Sequence, residues 1–173
     1  CPDEESRNRV KFYATQARDQ APHYEHTRIG YNYRLSNVCA GIGRGQMLSL
    51  PSFLEKRRGI HEEYRRRLSG VPGLSLLENP DSRYHSNHWL TCVQVNPEEA
   101  RFDRETLRLA LQKAGVESRP LWKPMHLQPV FRSCPFYGSG VSDRLFEEGL
   151  CLPSGASLAG EDMDRIIDVL LNL

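Results

Sequence analysis

Apolar residues recur at helical spacing over most of the first 70 positions, then give way to short runs of β-formers separated by Gly and Pro. Over residues 3–17, Val10, Phe12, Tyr13 and Ala17 make a partial stripe that predicts a helix. Residues 20–30 hold Pro22, two histidines and no periodicity, which predicts a loop leading into GYNYRLSN at 30–37. Beyond it, Val38, Ile42, Met47, Leu48, Phe53, Leu54, Ile60, Tyr64 and Leu68 return at helical spacing. Ser36 or Asn37 is placed to cap a long helix over 38–68. Pro51 lies inside it, has no N–H to donate and presses its ring on the preceding turn. A kink, or two helices meeting near Leu50, is expected.

The rest of the chain alternates. GVPG at 70–73 ends the long helix, 74–77 makes a short strand, and HWLTCVQV at 88–95 predicts a longer one. Asp103 can cap a compact helix with Leu107, Leu109, Ala110, Leu111 and Ala114 inside, closed by Gly115 as the residue after its end. Residues 116–121 form a strand candidate cut short by Pro120, and 122–141, with three further prolines, are irregular. Ser142 can cap a short helix through Glu148, stopped by Gly149. Residues 150–153 then read as a buried strand, and 161–171 as a last helix with Met163, Ile166, Ile167, Leu170 and Leu171 on one face. The fold class expected is α/β: long N-terminal helices followed by a small mixed or antiparallel sheet packed with helices.

Composition narrows the function classes. The 173 residues suit a single domain. With 23 Lys and Arg against 22 Asp and Glu, no nucleic-acid or anionic-membrane partner is indicated. No apolar run approaches the ~18–20 residues of a membrane span, and CPDEESRNRV lacks the apolar core of a signal peptide, so a soluble, cytoplasmic protein is expected. Five cysteines without a C-x-x-C spacing read as free thiols of a reducing compartment. The chain begins with Cys rather than Met and reads as a piece of a longer protein.

Several segments invite a chemical reading. His23, Glu25 and His26 cluster without a zinc-type spacing, so a polar loop is expected there and no metal site. Ser154 precedes Gly155, but Leu152 stands where a nucleophile elbow needs Gly. GIGRG at 41–45 follows a cap rather than a strand, so the small residues indicate close helix packing instead of a phosphate loop. RPLWKPMH at 119–126 concentrates two cations, an indole and an imidazole between prolines. It fits a site for a phosphorylated ligand and equally a Pro-rich surface loop. In GYNYRLSN, Asn32 and Arg34 stand at a helix entrance, where they can bind an anion or simply belong to a capping loop.

Taken together, GYNYRLSN with VCAGIGRGQM, TQARDQAPHYEH, SNHWLT, RPLWKPMHLQPVF and GLCLPSG resemble, in order and spacing, the DegT/DnrJ-type sugar aminotransferases. The resemblance runs from about Val10 to the end and is nearest to the branch that makes UDP-linked 4-amino-4,6-dideoxy-N-acetyl sugars of the bacillosamine type. It implies a C-terminal part of a fold-type I homodimer that depends on pyridoxal 5'-phosphate. The reaction implied moves an amino group, usually from glutamate, to a nucleotide-linked 4-keto-6-deoxy sugar for surface polysaccharide or glycan synthesis. Residues 1–35 would end the large cofactor domain and its connecting loop. Residues 36–173 would be the small domain, made of the long helix and an α/β part from 74 onward.

The resemblance also implies that the Schiff-base lysine lies upstream, since Lys11, Lys56, Lys113 and Lys123 stand in no Ser/Asn-rich turn. No catalytic residue is therefore expected in this chain, which alone would be inactive. Asn32 resembles the residue that reaches the cofactor phosphate of the neighbouring subunit, with Tyr33 and Arg34 beside it. Arg119, Trp122, Lys123 and His126 are the candidates for the nucleotide-sugar site. A non-catalytic module that binds a sugar nucleotide or pairs with an active partner is the alternative.

Overall fold

Asp3 opens the first helix, its carboxylate accepting the Ser6 N–H at 2.7 Å, and α1 runs over Glu4–Ala14. The computed structural model describes residues 1–173, in two units, Cys1–Leu50 and Pro51–Leu173.

In the first unit the loop after α1 folds back on the helix end. Gln16 N–H donates to the Tyr31 carbonyl, Tyr31 N–H to Tyr13, and Tyr33 N–H to Ala14. The chain passes so close here that a Cβ on Gly30 would lie 2.5 Å from the Ala17 nitrogen, so only glycine fits. Ala17 is completely buried beneath this crossing.

Ser36 caps the long helix by accepting the Cys39 N–H at 3.2 Å, and α2 extends over Asn37–Leu68. Pro51 lies within a single helix, so of the two outcomes expected, a kink or two helices meeting near Leu50, the second is not found. Its missing N–H orphans only the carbonyl of Met47, an exposed residue where water can serve that oxygen. The apolar stripe is covered only at its far end, where Tyr64 and Leu68 are buried and Ile60 partly so. Val38, Ile42, Met47 and Leu48 are exposed, and Cβ atoms on Gly41, Gly43 or Gly45 would touch nothing, so the close packing expected of GIGRG is absent within the chain.

The second unit is built on a four-stranded antiparallel sheet. Its strands are β1 (Leu74–Leu76), β2 (Thr91–Val95), β3 (Arg119–Pro120) and β4 (Gly149–Leu152), in the order β1-β2-β4-β3. Between them come α3 (Pro97–Ala100), α4 (Arg104–Lys113) and α5 (Val141–Glu148), and α6 (Gly160–Leu171) closes the chain. Strand alternation decides the core. Thr91, Val93 and Val95 are buried on one face, opposite Leu150 and Leu152, and join Leu107 and Leu111 of α4 and Met163, Ile166, Ile167 and Leu170 of α6. Each such aliphatic side chain, taken out of water, contributes about 1.5–3 kcal/mol.

Several expected boundaries shift for local reasons. β2 begins at Thr91 rather than at His88, because Ser86 and Asn87 side chains accept the N–H groups of His88 and Trp89, and His88 takes a positive φ of 43°. Residues 116–118 and Leu121 lie outside β3, which keeps only Arg119 and Pro120. Gly140, not Ser142, occupies the N-cap of α5, and Ser142 lies within the helix. Asp103 caps α4 as expected, accepting the Thr106 N–H at 2.7 Å. Within the irregular stretch, Met125–Leu127 and Pro129–Phe131 make two short 3-10 turns.

Candidate functional site

The second unit contains a cavity of about 640 Å3 at one end of the sheet. β3 brings Arg119 and Pro120 to it, the segment after β3 brings Trp122, and the segment before β2 brings Trp89. Cys151, Pro153 and Ser154 form its floor, and Asp162 and Arg165 enter from the first turns of α6. The two indoles face each other with ring centroids 5.8 Å apart and planes inclined by 42°. Both are more than half exposed, so their π faces are open to a ligand.

The floor is held by polar contacts made in the fold itself. Ser154 Oγ accepts the Thr91 N–H at 2.7 Å and donates to the Leu152 carbonyl at 2.9 Å. Tyr64 donates its hydroxyl to the Pro153 carbonyl at 3.0 Å. With both capacities engaged, Ser154 is a structural hydroxyl. The segment carrying Trp89 is fastened to α2 by Arg58 Nε, which donates to the Ser86 carbonyl at 3.1 Å, and by Arg57, which donates to the Trp89 carbonyl at 3.4 Å. His61 adds a stack on His88, ring centroids 3.7 Å apart, while its Nε2 lies 3.3 Å from a Glu78 carboxylate oxygen.

The four residues singled out between 119 and 126 therefore separate. Arg119 and Trp122 reach the cavity; Lys123 and His126 do not line it. Arg119 is paired with Glu117 at 2.6 Å, and both side chains are more than 70% exposed. His126 turns to α5, its Nε2 2.6 Å from Asp143 Oδ1 and its ring stacked on Phe136 at 3.6 Å. That contact has the length of an ion pair without the alignment of a hydrogen bond. Lys123 is exposed, and its carbonyl accepts from the Gln128 side chain. Trp89, Asp162 and Arg165 were not singled out by the sequence reading. For Trp89 the signal was present in SNHWLT, whereas the two α6 residues come in only through packing.

In the first unit, Asn32, Tyr33 and Arg34 are consecutive and exposed. Asn32 Oδ1 accepts the Arg34 N–H at 3.3 Å, leaving the amide Nδ2 free to donate. The Asn32 backbone bridges to Thr15. His23 and Glu25 make only an exposed contact at 3.4 Å, His26 Nδ1 meets the Gln16 carbonyl, and no group of three or more His, Cys, Asp or Glu is placed to hold a metal. None of the four lysines lines the cavity: Lys11 is on α1, Lys56 on α2, Lys113 in the last turn of α4, and Lys123 in the loop after β3.

Comparison with known proteins places this geometry in context. The family model described as DegT/DnrJ/EryC1/StrS aminotransferase matches residues 1–171. EpsN of Bacillus subtilis (strain 168), whose name assigns it provisionally to the pyridoxal phosphate-dependent aminotransferases, is 38% identical over 99% of the chain and 44% of its own length. A GDP-perosamine synthase of Vibrio cholerae is 29% identical over 86% of the chain and 40% of its own length. Among solved structures, the aminotransferase TlmJ from Streptoalloteichus hindustanus superposes with a TM-score of 0.83 at 27% identity, covering 99% of this chain and 45% of that one. The chain thus spans less than half the length of each of these relatives. No helix is long and apolar enough to cross a membrane.

Proposed function

We propose, from the premise that this chain belongs to the DegT/DnrJ/EryC1/StrS aminotransferase family, that it is the small-domain part of an enzyme that aminates a nucleotide-linked keto sugar. The reading rests on one observation: Arg119, Trp122 and Trp89, from two separate motifs, meet around a single cavity. In it, the nucleotide sugar binds at this cavity, glutamate is the amino donor, and two copies of the whole protein form the working unit. The boundary between the cofactor domain and the small domain falls after residue 35.

The family's cofactor is pyridoxal phosphate. The residues present fit a contact to its phosphate, through the free Nδ2 of Asn32 with Tyr33 and Arg34 beside it. Its covalent attachment is assigned to a lysine outside residues 1–173, as the family resemblance implies, and Lys11, Lys56, Lys113 and Lys123 are given no part in it. When bound, the group supplies the electron sink through which an amino group leaves one carbon skeleton and joins another. This chain contributes binding: the paired indoles offer a face to a planar or sugar ring, and Arg119, held at the rim by Glu117, offers a cation that can exchange partners toward a phosphate. His126 braces the segment against α5 through Asp143 and Phe136 and is better read as a support than as a ligand contact.

The test separates the two half-reactions. In the full-length enzyme, Arg119→Ala should weaken the nucleotide-sugar half-reaction roughly tenfold or more, as loss of a charge-assisted hydrogen bond of ~1.5–3 kcal/mol implies, and leave the glutamate half-reaction intact. Because Arg119 and Glu117 form a surface pair, stability should change by no more than about 1 kcal/mol. Single-turnover absorbance, first with glutamate and then with the keto sugar, reads both directions. Equal loss in both, or none in either, means that the cavity is not the sugar site.

A further inference from the structure

Cys92 and Cys151 stand directly opposite each other on β2 and β4, with their sulfurs 3.9 Å apart. Backbone hydrogen bonding settles which kind of pair they are. In an antiparallel sheet the N–H and C=O of one residue point to the same neighbouring strand, and successive residues alternate. The Cys92 carbonyl accepts the Leu77 N–H at 2.9 Å, on the β1 side. Thr91 N–H points the other way, to Ser154 just beyond β4. From the other strand, the Gly149 carbonyl accepts the Leu121 N–H at 3.1 Å, so Gly149, and with it Cys151 two residues on, bonds toward β3. Both strands agree that Cys92 and Cys151 form a pair without mutual hydrogen bonds, the kind with Cα atoms only ~4.5 Å apart and side chains closest.

We propose that Cys92 and Cys151 are an oxidation site, a dithiol that closes to a reversible cross-strand disulfide when a small organic disulfide enters the cavity. A Cα separation of ~4.5 Å lies at the short end of the ~4.4–6.8 Å that disulfides span. The sulfurs need to approach by about 2 Å to bond, which side-chain rotation supplies without parting the strands. A bond made at that short limit is easily reduced, so the pair suits a switch better than a permanent staple. Cys151 lines the cavity at its floor, which gives the oxidant a route to a thiol that is otherwise buried.

The step balances as thiol–disulfide exchange. Cys151 Sγ, as thiolate, attacks one sulfur of R–S–S–R, and the departing R–S⁻ takes up the proton. Cys92 then loses its proton and attacks the Cys151 sulfur, expelling the second R–S⁻. Two protein thiols lose two electrons, and the organic disulfide gains them as two R–SH. Cys151 is the first to react, because it lines the cavity through which the oxidant arrives and Cys92 does not. Cys1, Cys39 and Cys134 are exposed and free, so they stop at the mixed disulfide.

The experiment exposes the native full chain to hydroxyethyl disulfide, blocks remaining thiols and digests at Lys and Arg. Cys92 and Cys151 fall in separate fragments, 84–101 and 145–165, each holding one cysteine. The result expected is one linked fragment, two hydrogens lighter than the sum, which dithiothreitol separates. The same treatment in urea should give mainly mixed disulfides, because the sheet no longer aligns the pair. In Cys92→Ser, Cys151 should keep the oxidant's half. Blocked thiols or mixed disulfides at both positions in the native chain, or linkage no more frequent than in urea, overturns the proposal.

Discussion

At the scale of single residues, Tyr64 joins the core to the cavity floor. Its ring is completely buried among aliphatic side chains, and burial holds its hydroxyl far above the ordinary phenol pKa, so it stays a donor. That donor serves the Pro153 carbonyl, which a proline-containing strand end leaves without a ladder partner. Tyr64→Phe keeps the packing and removes only the hydrogen bond to a half-buried carbonyl, so a loss of about 0.5–1.5 kcal/mol is expected, the net worth of one hydrogen bond. Urea denaturation followed by circular dichroism measures it. An unchanged midpoint would mean that the carbonyl finds another donor.

At the scale of elements, the segment before β2 owes its place to α2. Arg57 and Arg58 take two of its carbonyls, and His88 lies flat on the buried ring of His61. Burial lowers the pKa of His88, as do the neighbouring His61 and Arg58, while Glu78 acts in the opposite direction. Folding therefore favours neutral His88. Its contribution to stability is fully present above the unfolded imidazole value of about 6.5 and is lost as pH falls through the lower folded value, because the unfolded chain binds the extra proton first. His88→Asn removes this titration and keeps a residue that tolerates the positive φ. Denaturation midpoints at pH 5, 6 and 7 should fall with acidity more steeply in the parent than in the variant. Parallel curves would rule the stacked pair out as a source of acid sensitivity.

At the scale of the whole molecule, the two units differ in what holds them. Every residue of the apolar core lies in Pro51–Leu173, whereas Ala17 is the only buried apolar residue of Cys1–Leu50. A chain starting at Pro51 should thus unfold cooperatively, with a melting temperature within a few degrees of the whole chain's, because it retains the core that generates the stability. Calorimetry on the two chains tests this. A broad, non-cooperative transition in the shorter chain would show that residues 1–50 carry structure the core depends on.

Local patterning determined much of this protein in advance. Asp103 and Ser36 cap the helices they precede, the last helix buries Met163, Ile166, Ile167 and Leu170 of the face that its spacing marks while Leu171, at its end, stays exposed, and the alternation in β2 places Val93 and Val95 inward, since capping and periodicity act within a few residues. Motifs likewise marked Arg119 and Trp122, because residue types that bind phosphates and rings are visible without coordinates. Long-range packing decided the rest. His126 carries the chemistry of a ligand but spends it on Asp143, a residue 17 positions away that reaches it only when α5 folds back. Trp89 becomes a cavity wall because the Ser86 and Asn87 side chains turn its segment out of the strand that its sequence favours and arginines on α2 fasten it there. Cys92 and Cys151, 59 residues apart, face each other because the core side chains on either side of them set the register of β2 on β4, and a one-residue slip would turn them to opposite faces.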